Sequence, residues 1–412
     1  MTATVQSEGP LHGLRVVDLT TSYAGPTAAM YLADLGASVV KVERPGHGDD
    51  ARSWGPPFVD GTSAWFASAN RNKQSVALDL RSDSGRQVLL RLLDNADVFL
   101  QNMNPAKLVR MGIDGETLLR RNPRLIYCAL SGFGLTGPDS ALPGYDLAAQ
   151  ARSGLMSVTG EAGRSPQRVS TALSDVVTGM CAAMAINAAV VRQVRTGCGE
   201  IIDVSLLDTD LAMMAPRIAA FHAGEPEPAP SGGTDSVLAV YQAFEAADRS
   251  IVIAIGNDAM WQRFCAVAEL PDLASDPALA DNAGRRRHRT RIIERVAARM
   301  VTRSADEWLR ILGEVDVPAS PVQTLSEVVK DPQVVARNSL LPVPDSDGEL
   351  VTVHSPFRLA SMGTRNERFP DLGADTRGVL ADLGYTTEEI DALLAAGAVA
   401  EAGPAERAEA LT

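Results

Sequence analysis

Several familiar signatures are missing from this 412-residue chain. Its four cysteines, Cys128, Cys181, Cys198 and Cys265, lie far apart and form no CxxC pair, which argues against both a disulfide framework and a zinc knuckle. The five histidines, His12, His47, His222, His288 and His354, are scattered without metal-ligand spacing, so no metal is expected. A surplus of basic charge is lacking too. Only 38 Lys and Arg stand against 51 Asp and Glu, and the net charge of −13 offers no overall field to nucleic acid or anionic lipid. Neither nucleic acid nor a membrane is expected as a partner, and any anionic ligand must be met by a few local cations. The one basic run, Arg285-Arg286-Arg287-His288-Arg289, precedes a helical pattern and reads as a solvated or ion-paired face. The N-terminal MTATVQSEGP has no basic and apolar signal region, and no run of about 18 apolar residues stands out, which points to a cytoplasmic chain. Absent as well are the GxGxxG fingerprint, a Walker lysine and the GxSxG elbow, which disfavours ordinary dinucleotide binding, P-loop chemistry and serine hydrolysis.

What is present reads as alternating strands and helices. A hydrophobic content of 45% is enough for a sizeable core, and the length suggests two or three domains. Leu14–Leu19, Thr27–Leu35 and Ser38–Val42 form a strand, helix and strand, with Pro26 suited to the first helical position and Gly36 to the helix stop. Further strands are expected at Ser75–Leu80, Val98–Gln101 and Leu125–Leu130, with a helix at Gly85–Leu93. The alternation predicts an α/β fold with a parallel sheet covered by helices. Periodicity stops at 224–233, where Pro and Gly accumulate as in a linker. Beyond it, Tyr241–Ile255 reads as short strands and Ala259–Leu270 and Arg289–Arg299 as helices, a smaller α/β unit. Residues 315–322 look like a second crossing point, and the tail after about Ala400 reads as frayed.

The residue with the most chemical potential is Asp175. It stands directly before a long run of small apolar residues that reads as a helix from Val176 to Val191. There an aspartate serves as an N-cap, accepting a hydrogen bond from the first turn. The positive end of the helix dipole also favours its ionised form, and an ionised carboxylate in a dry pocket is a usable nucleophile. Both readings stand on the local sequence. The loop Thr20–Pro26, between the first strand and its helix, can hold phosphate on backbone N–H groups or be a plain turn. Arg44, after Glu43 at the next strand end, suits a phosphate or a surface ion pair. Asn102 and Met103 end another strand, and Arg110 follows on a helix; strand ends of open α/β sheets face the binding crevice.

An ordered series of motifs resembles the class III coenzyme A transferases, the CaiB/BaiF or formyl-CoA/carnitine CoA transferase family. It includes Asp18-Leu19-Thr20 with Ala24-Gly25-Pro26, Lys41-Val42-Glu43-Arg44-Pro45-Gly46, Asn72–Asp79, Gly144-Tyr145-Asp146, Ser174-Asp175 with Gly179, Arg195–Glu200, and Gly232-Gly233. The resemblance implies a nucleophile at Asp175 and coenzyme A as co-substrate, with Ser22, Tyr23, Ala24, Arg44, Leu78, Asn102, Met103 and Arg110 as CoA contacts. It further implies acyl-CoA and a carboxylic acid acceptor as partners, and an interlocked homodimer. The implied layout is a Rossmann-like large domain from both chain ends, residues 1–223 and 323–412, around a small domain at 224–322. Two positions depart from the family pattern: Tyr23 replaces a glutamine of some transferases, and Pro143 replaces a lysine. The fold also serves α-methylacyl-CoA racemases, whose His/Asp pair exchanges an α-proton. Tyr145 stands at that histidine position, as a substrate-pocket candidate, and an unperturbed tyrosine is a poor base at neutral pH. A non-catalytic CoA-binding protein, with Asp175 as a cap only, is the third reading. Gly232-Gly233 suits a lid or a linker equally.

Overall fold

The computed structural model describes residues 8–346 and 350–402. The chain divides into two compact units: one takes in residues up to 155, 169–224 and from 337 onward, the other 156–168 and 225–336. Most of the expected frayed tail, residues 403–412, lies outside the described residues.

The larger unit is laid down in chain order as β1 (Arg15–Leu19), α1 (Ala24–Asp34), β2 (Ser38–Glu43), β3 (Lys73–Leu78), α2 (Asp83–Asp94), β4 (Val98–Gln101), α3 (Pro105–Met111), β5 (Ile126–Ser131), α4 (Asp146–Arg152), α5 (Leu173–Thr196), β6 (Glu200–Ser205) and α6 (Leu206–His222). Six strands pair in parallel in the order β3-β2-β1-β4-β5-β6, and the short strand Val399–Ala400 adds antiparallel to β3. Parallel strands must be covered on both faces, which is why β1, β2, β4 and β5 bury nearly all of their residues. Val16, Val39, Val98, Ile126 and Cys128 point to a layer that includes α1 and α5. Their neighbours Val17, Val42, Phe99 and Tyr127 point to the opposite layer, which holds α2 and the C-terminal Val379, Leu380 and Ile390. Consecutive residues thus face opposite helical layers, as the two-residue period requires.

The strand expectations hold with one- or two-residue shifts, but α1 begins at Ala24 rather than Thr27, so Pro26 is its third residue and not its first. Proline is tolerated there because first-turn N–H groups have no intrahelical acceptor. Strand β6 was not expected. It is a partly exposed edge strand in which Glu200 and Asp203 interrupt the apolar run, so its sequence lacks the buried-strand signature. Helix α5 also amends the expectation about apolar runs: by length and composition it could cross a membrane. Its small face, Gly179, Ala182, Ala183, Ile186 and Ala189, is buried in the sheet-covering layer.

The second unit contains β7 (Tyr241–Glu245), β8 (Ser250–Ala254), α7 (Asp258–Val267), α8 (Arg289–Met300), α9 (Ala305–Glu314) and β9 (Ala319–Pro321). Its sheet is antiparallel in the order β9-β8-β7, over a core of Trp261, Phe264, Ile292 and Trp308.

Candidate functional site

Strand order reverses between β1 and β4, and the carboxyl ends of such a pair border the crevice where open α/β sheets bind ligands. One side chain ties the two loops at that point together. Asn102 Oδ1 accepts from the Thr21 N–H at 3.1 Å, and its Nδ2 donates to the Thr21 carbonyl at 2.9 Å. Ser22 adopts φ +74°, and its N–H donates to Asp49 Oδ1 at 2.9 Å. Beneath the loop, the fully buried Lys41 donates to the Thr20 carbonyl at 2.8 Å and to Asp49 Oδ2 at 2.9 Å. Lys73, equally buried, donates to Asp18 Oδ2 at 3.0 Å and to the Pro26 carbonyl at 2.8 Å. Burial pulls the Lys73 ammonium down to about 8. Burial alone would push Asp18 up, but Lys73 and Lys41 together hold its carboxyl below the usual range.

Asp175 reaches the same crevice from α5. The glycine at position 179 is what permits it: a Cβ there would lie 2.8 Å from the Ala24 carbonyl oxygen and 2.9 Å from Thr27 Cβ. With hydrogen only, α5 settles against α1, and its first turn stands beside the β1 loop. The resulting cavity, of about 460 Å3, is lined by Ser22, Ala24, Asn102, Met103, Tyr145 and Asp175 among others. A second cavity, of about 640 Å3, is lined by Arg44, Leu78, Asn102 and Met103, and by three cationic or titratable side chains that sequence reasoning missed, Arg81, Lys107 and His47. The two cavities share Thr21, Asn102, Met103 and Asn104. Both volumes are in the range of small-molecule sites.

Two expectations for Asp175 need correction. It is not the helix cap: α5 starts at Leu173 with Ala172 at the cap position, which makes Asp175 the third residue of the helix. The Ser174 N–H is instead satisfied by Asp146 Oδ1, at 2.8 Å, from α4. Nor does the helix dipole keep the carboxyl acidic. Burial, then the nearby carboxyls of Asp146 and Asp210, push it up to about 7. The dipole is worth at most about 2 kcal/mol at a partly buried site, against 1.36 kcal/mol for each pKa unit, so desolvation and the neighbouring carboxyls outweigh it.

The remaining candidates divide. Tyr23 lines neither cavity; its hydroxyl pairs with Ser68 Oγ at 2.9 Å and its ring packs edge-on against Trp65. Burial raises its phenol above the usual range, with Asp175 adding to the shift. Tyr145 is 62% exposed at the start of α4. Arg44 donates twice to the Gly48 carbonyl, at 3.2 Å, and pairs with Asp50. Arg110 is exposed and lines neither cavity, whereas Lys107, one turn earlier on α3, lines the second. The turn that a residue occupies on a seven-residue helix decides this, and composition does not show it.

A family model described as CoA-transferase family III matches residues 11–376. The chain belongs to this family. Mouse succinyl-CoA:glutarate CoA-transferase is 36% identical over 393 residues, which cover 95% of this chain and 90% of the relative. Acetyl-CoA:oxalate CoA-transferase from Acetobacter aceti is 35% identical, over 89% of this chain and 93% of the relative. Among solved structures, a CAIB/BAIF family protein from Brucella suis shares the fold with a TM-score of 0.80 and 35% identity, covering 92% of this chain and all of that one. This family III CoA-transferase carries the carboxyl group of Asp175 in its first cavity, and around the second it carries Arg44, Arg81 and Lys107, of which Arg44 pairs with Asp50 and Arg81 with Asp79.

Proposed function

We propose that this enzyme moves CoA from an acyl-CoA thioester to a short dicarboxylic acid, with Asp175 as the covalent nucleophile. The observation that carries the reading is the joined pair of cavities: Asp175 stands in one, and Arg44, Arg81 and Lys107 stand around the other, the two arginines in exposed pairs with Asp50 and Asp79 that an incoming phosphate would compete with. Cations suit the phosphates at one end of a CoA ester, and the shared wall at Asn102 and Met103 lets the thioester end extend to Asp175. The substrate class rests on the relatives, which are named for succinyl-CoA, glutarate and oxalate.

In this mechanism an Asp175 oxygen attacks the thioester carbonyl; the new C–O bond forms, the C–S bond breaks, and CoA leaves as thiolate. The thiolate then attacks the Asp175 carbonyl, which releases the donor acid and leaves an enzyme thioester. Attack by the acceptor carboxylate expels the thiolate again and forms a second anhydride. Return of the thiolate to the acceptor carbonyl gives the new CoA ester and frees Asp175. Each step divides one hard transfer into easier ones, and thiolate is a tolerable leaving group because a thiol pKa is about 8.5. Water must be excluded while the anhydrides live. Asn102, with its amide spent on Thr21, keeps the loop in place rather than binding through that group. The reading includes the interlocked homodimer, which size-exclusion chromatography with light scattering tests.

The decisive experiment is incubation with succinyl-CoA followed by hydroxylamine and mass spectrometry. A hydroxamate on Asp175, lost in Asp175→Ala, is expected, and an unmodified Asp175 peptide under turnover conditions would sink the reading. One observation favours a second reading, α-proton exchange: a carboxyl near 7 is well matched to acid–base work. That reading predicts deuterium uptake at the α-carbon and no adduct.

A further inference from the structure

Three carboxyl groups converge at the first turn of α5, and one of them, Asp175, lines a cavity. Ser174, the residue before it, is held from two sides. Its N–H donates to Asp146 Oδ1 at 2.8 Å, and its hydroxyl donates to Asp210 Oδ2 at 3.0 Å. Asp210, on α6, is completely buried and takes a second, longer hydrogen bond from Ser153 Oγ at 3.4 Å. Its other oxygen, Oδ1, is buried with no hydrogen-bond partner. Elsewhere in the larger unit the buried acids Asp18, Asp34, Glu43 and Asp49 each meet a lysine or arginine. Among the described residues, Asp146, Asp175 and Asp210 have no cation within ion-pair distance. Leaving a buried carboxyl half-satisfied is unfavourable to folding, so its presence calls for a compensating use.

We propose that Asp210 is a positioning residue for Asp175: it fixes the turn that carries the nucleophile through Ser174, and it places behind it a carboxyl group that disfavours a second charge. The inference rests on the reading of Asp175 as nucleophile. When an Asp175 oxygen joins the thioester carbon and the C–S bond breaks, the negative charge leaves with sulfur, and the acylated Asp175 is neutral. A neighbouring carboxyl therefore raises the free, ionised enzyme relative to its covalent intermediates, which is the differential effect that speeds a step. The titratable groups facing Asp175 are Asp146 from α4, Asp210 from α6 and Tyr23 from the loop before α1. Asp210 is itself shifted upward, by burial first and then by Asp146.

Asp210→Asn keeps the shape and removes the charge. Its expected result is an acid limb of kcat/KM moved to lower pH by at least about half a unit, with kcat at pH 8 reduced about tenfold. Ser174→Ala, which cuts the link but keeps every charge, is expected to lower kcat about fivefold with KM for succinyl-CoA within about twofold. If Asp210→Asn does not fold, Ser174→Ala carries the test alone, and an unchanged kcat there overturns the proposal. A trapped adduct on wild-type Asp175 together with an unmoved acid limb in Asp210→Asn overturns the role of Asp210 only. Absence of any adduct in the wild type overturns the parent reading instead.

Discussion

Two places in the larger unit bury acidic side chains, and they treat them in opposite ways. Under the β1 loop, Asp18 and Asp49 rest on Lys73 and Lys41, all four fully buried. At the start of α5, Asp146, Asp175 and Asp210 gather with serines and a glutamine for company and, among the described residues, no cation within ion-pair distance. In the first place the carboxylates are ion-paired and hold a loop in shape; Asp18 is kept more acidic than usual despite burial. In the second, Asp175 is driven up to about 7. A buried acid whose partner is a lysine is held as an ion pair, while one left beside other acids is held back from ionising. The difference lies in what surrounds the carboxyl group and not in the residue type.

The comparison breaks first at Asp175 itself. Asp175→Ala is expected to reduce CoA transfer at least about a thousandfold while the fold survives, measured as turnover beside a melting curve. A residual rate above a tenth of wild type would place Asp175 among ordinary pocket residues. Next in size is the paired site: Lys41→Met strands Asp49 and should cost about 3–5 kcal/mol in urea unfolding. A loss below 1 kcal/mol would mean that the lysine is not the framework charge described above.

The sign of the pH dependence sharpens the contrast. Asp175 has a folded pKa of about 7 against an ordinary value of 3.8, so its ionisation opposes folding, fully above pH 7 and not at all below about pH 4. Asp175→Asn should therefore stabilise the fold by on the order of 2–4 kcal/mol at pH 8 and by nothing measurable near pH 4. Equal shifts at both pH values would contradict an uncompensated charge. The smallest expected effect is at the rim of the second cavity, where Lys107→Ala should raise KM for the acyl-CoA about fivefold with kcat within about twofold, measured by steady-state kinetics. The same substitution at Arg110 should do nothing to either constant.

Much of this was legible in the residues. The β1 and β2 strands carry valine runs and β4 a short apolar run, and the crevice at the ends of β1 and β4 follows from their alternation with helices. Asp175, Asn102 and Met103 were visible as candidates because each stands at the end or start of a regular element. What the sequence conceals is whatever depends on two elements meeting. Asp210 belongs to a helix more than thirty residues beyond Asp175, and its approach to Ser174 exists only after α5 and α6 pack. The pKa direction was misread for the same reason: the dipole is a local property of one helix, whereas burial and the Asp146 and Asp210 fields come from neighbours. Arg110 and Lys107 show a finer failure, because a few residues on one short helix decide which of them lines a cavity.

Gly179 bears on how such an enzyme can be altered. The separation between the Asp175 carboxyl group and the loop at the crevice is gauged by a single missing methyl group, since a Cβ there would press on Ala24 and Thr27. A side chain at that position acts as a shim between the two helices, leaving every reactive group present but displaced, and the first function to suffer is alignment rather than folding or ligand recognition.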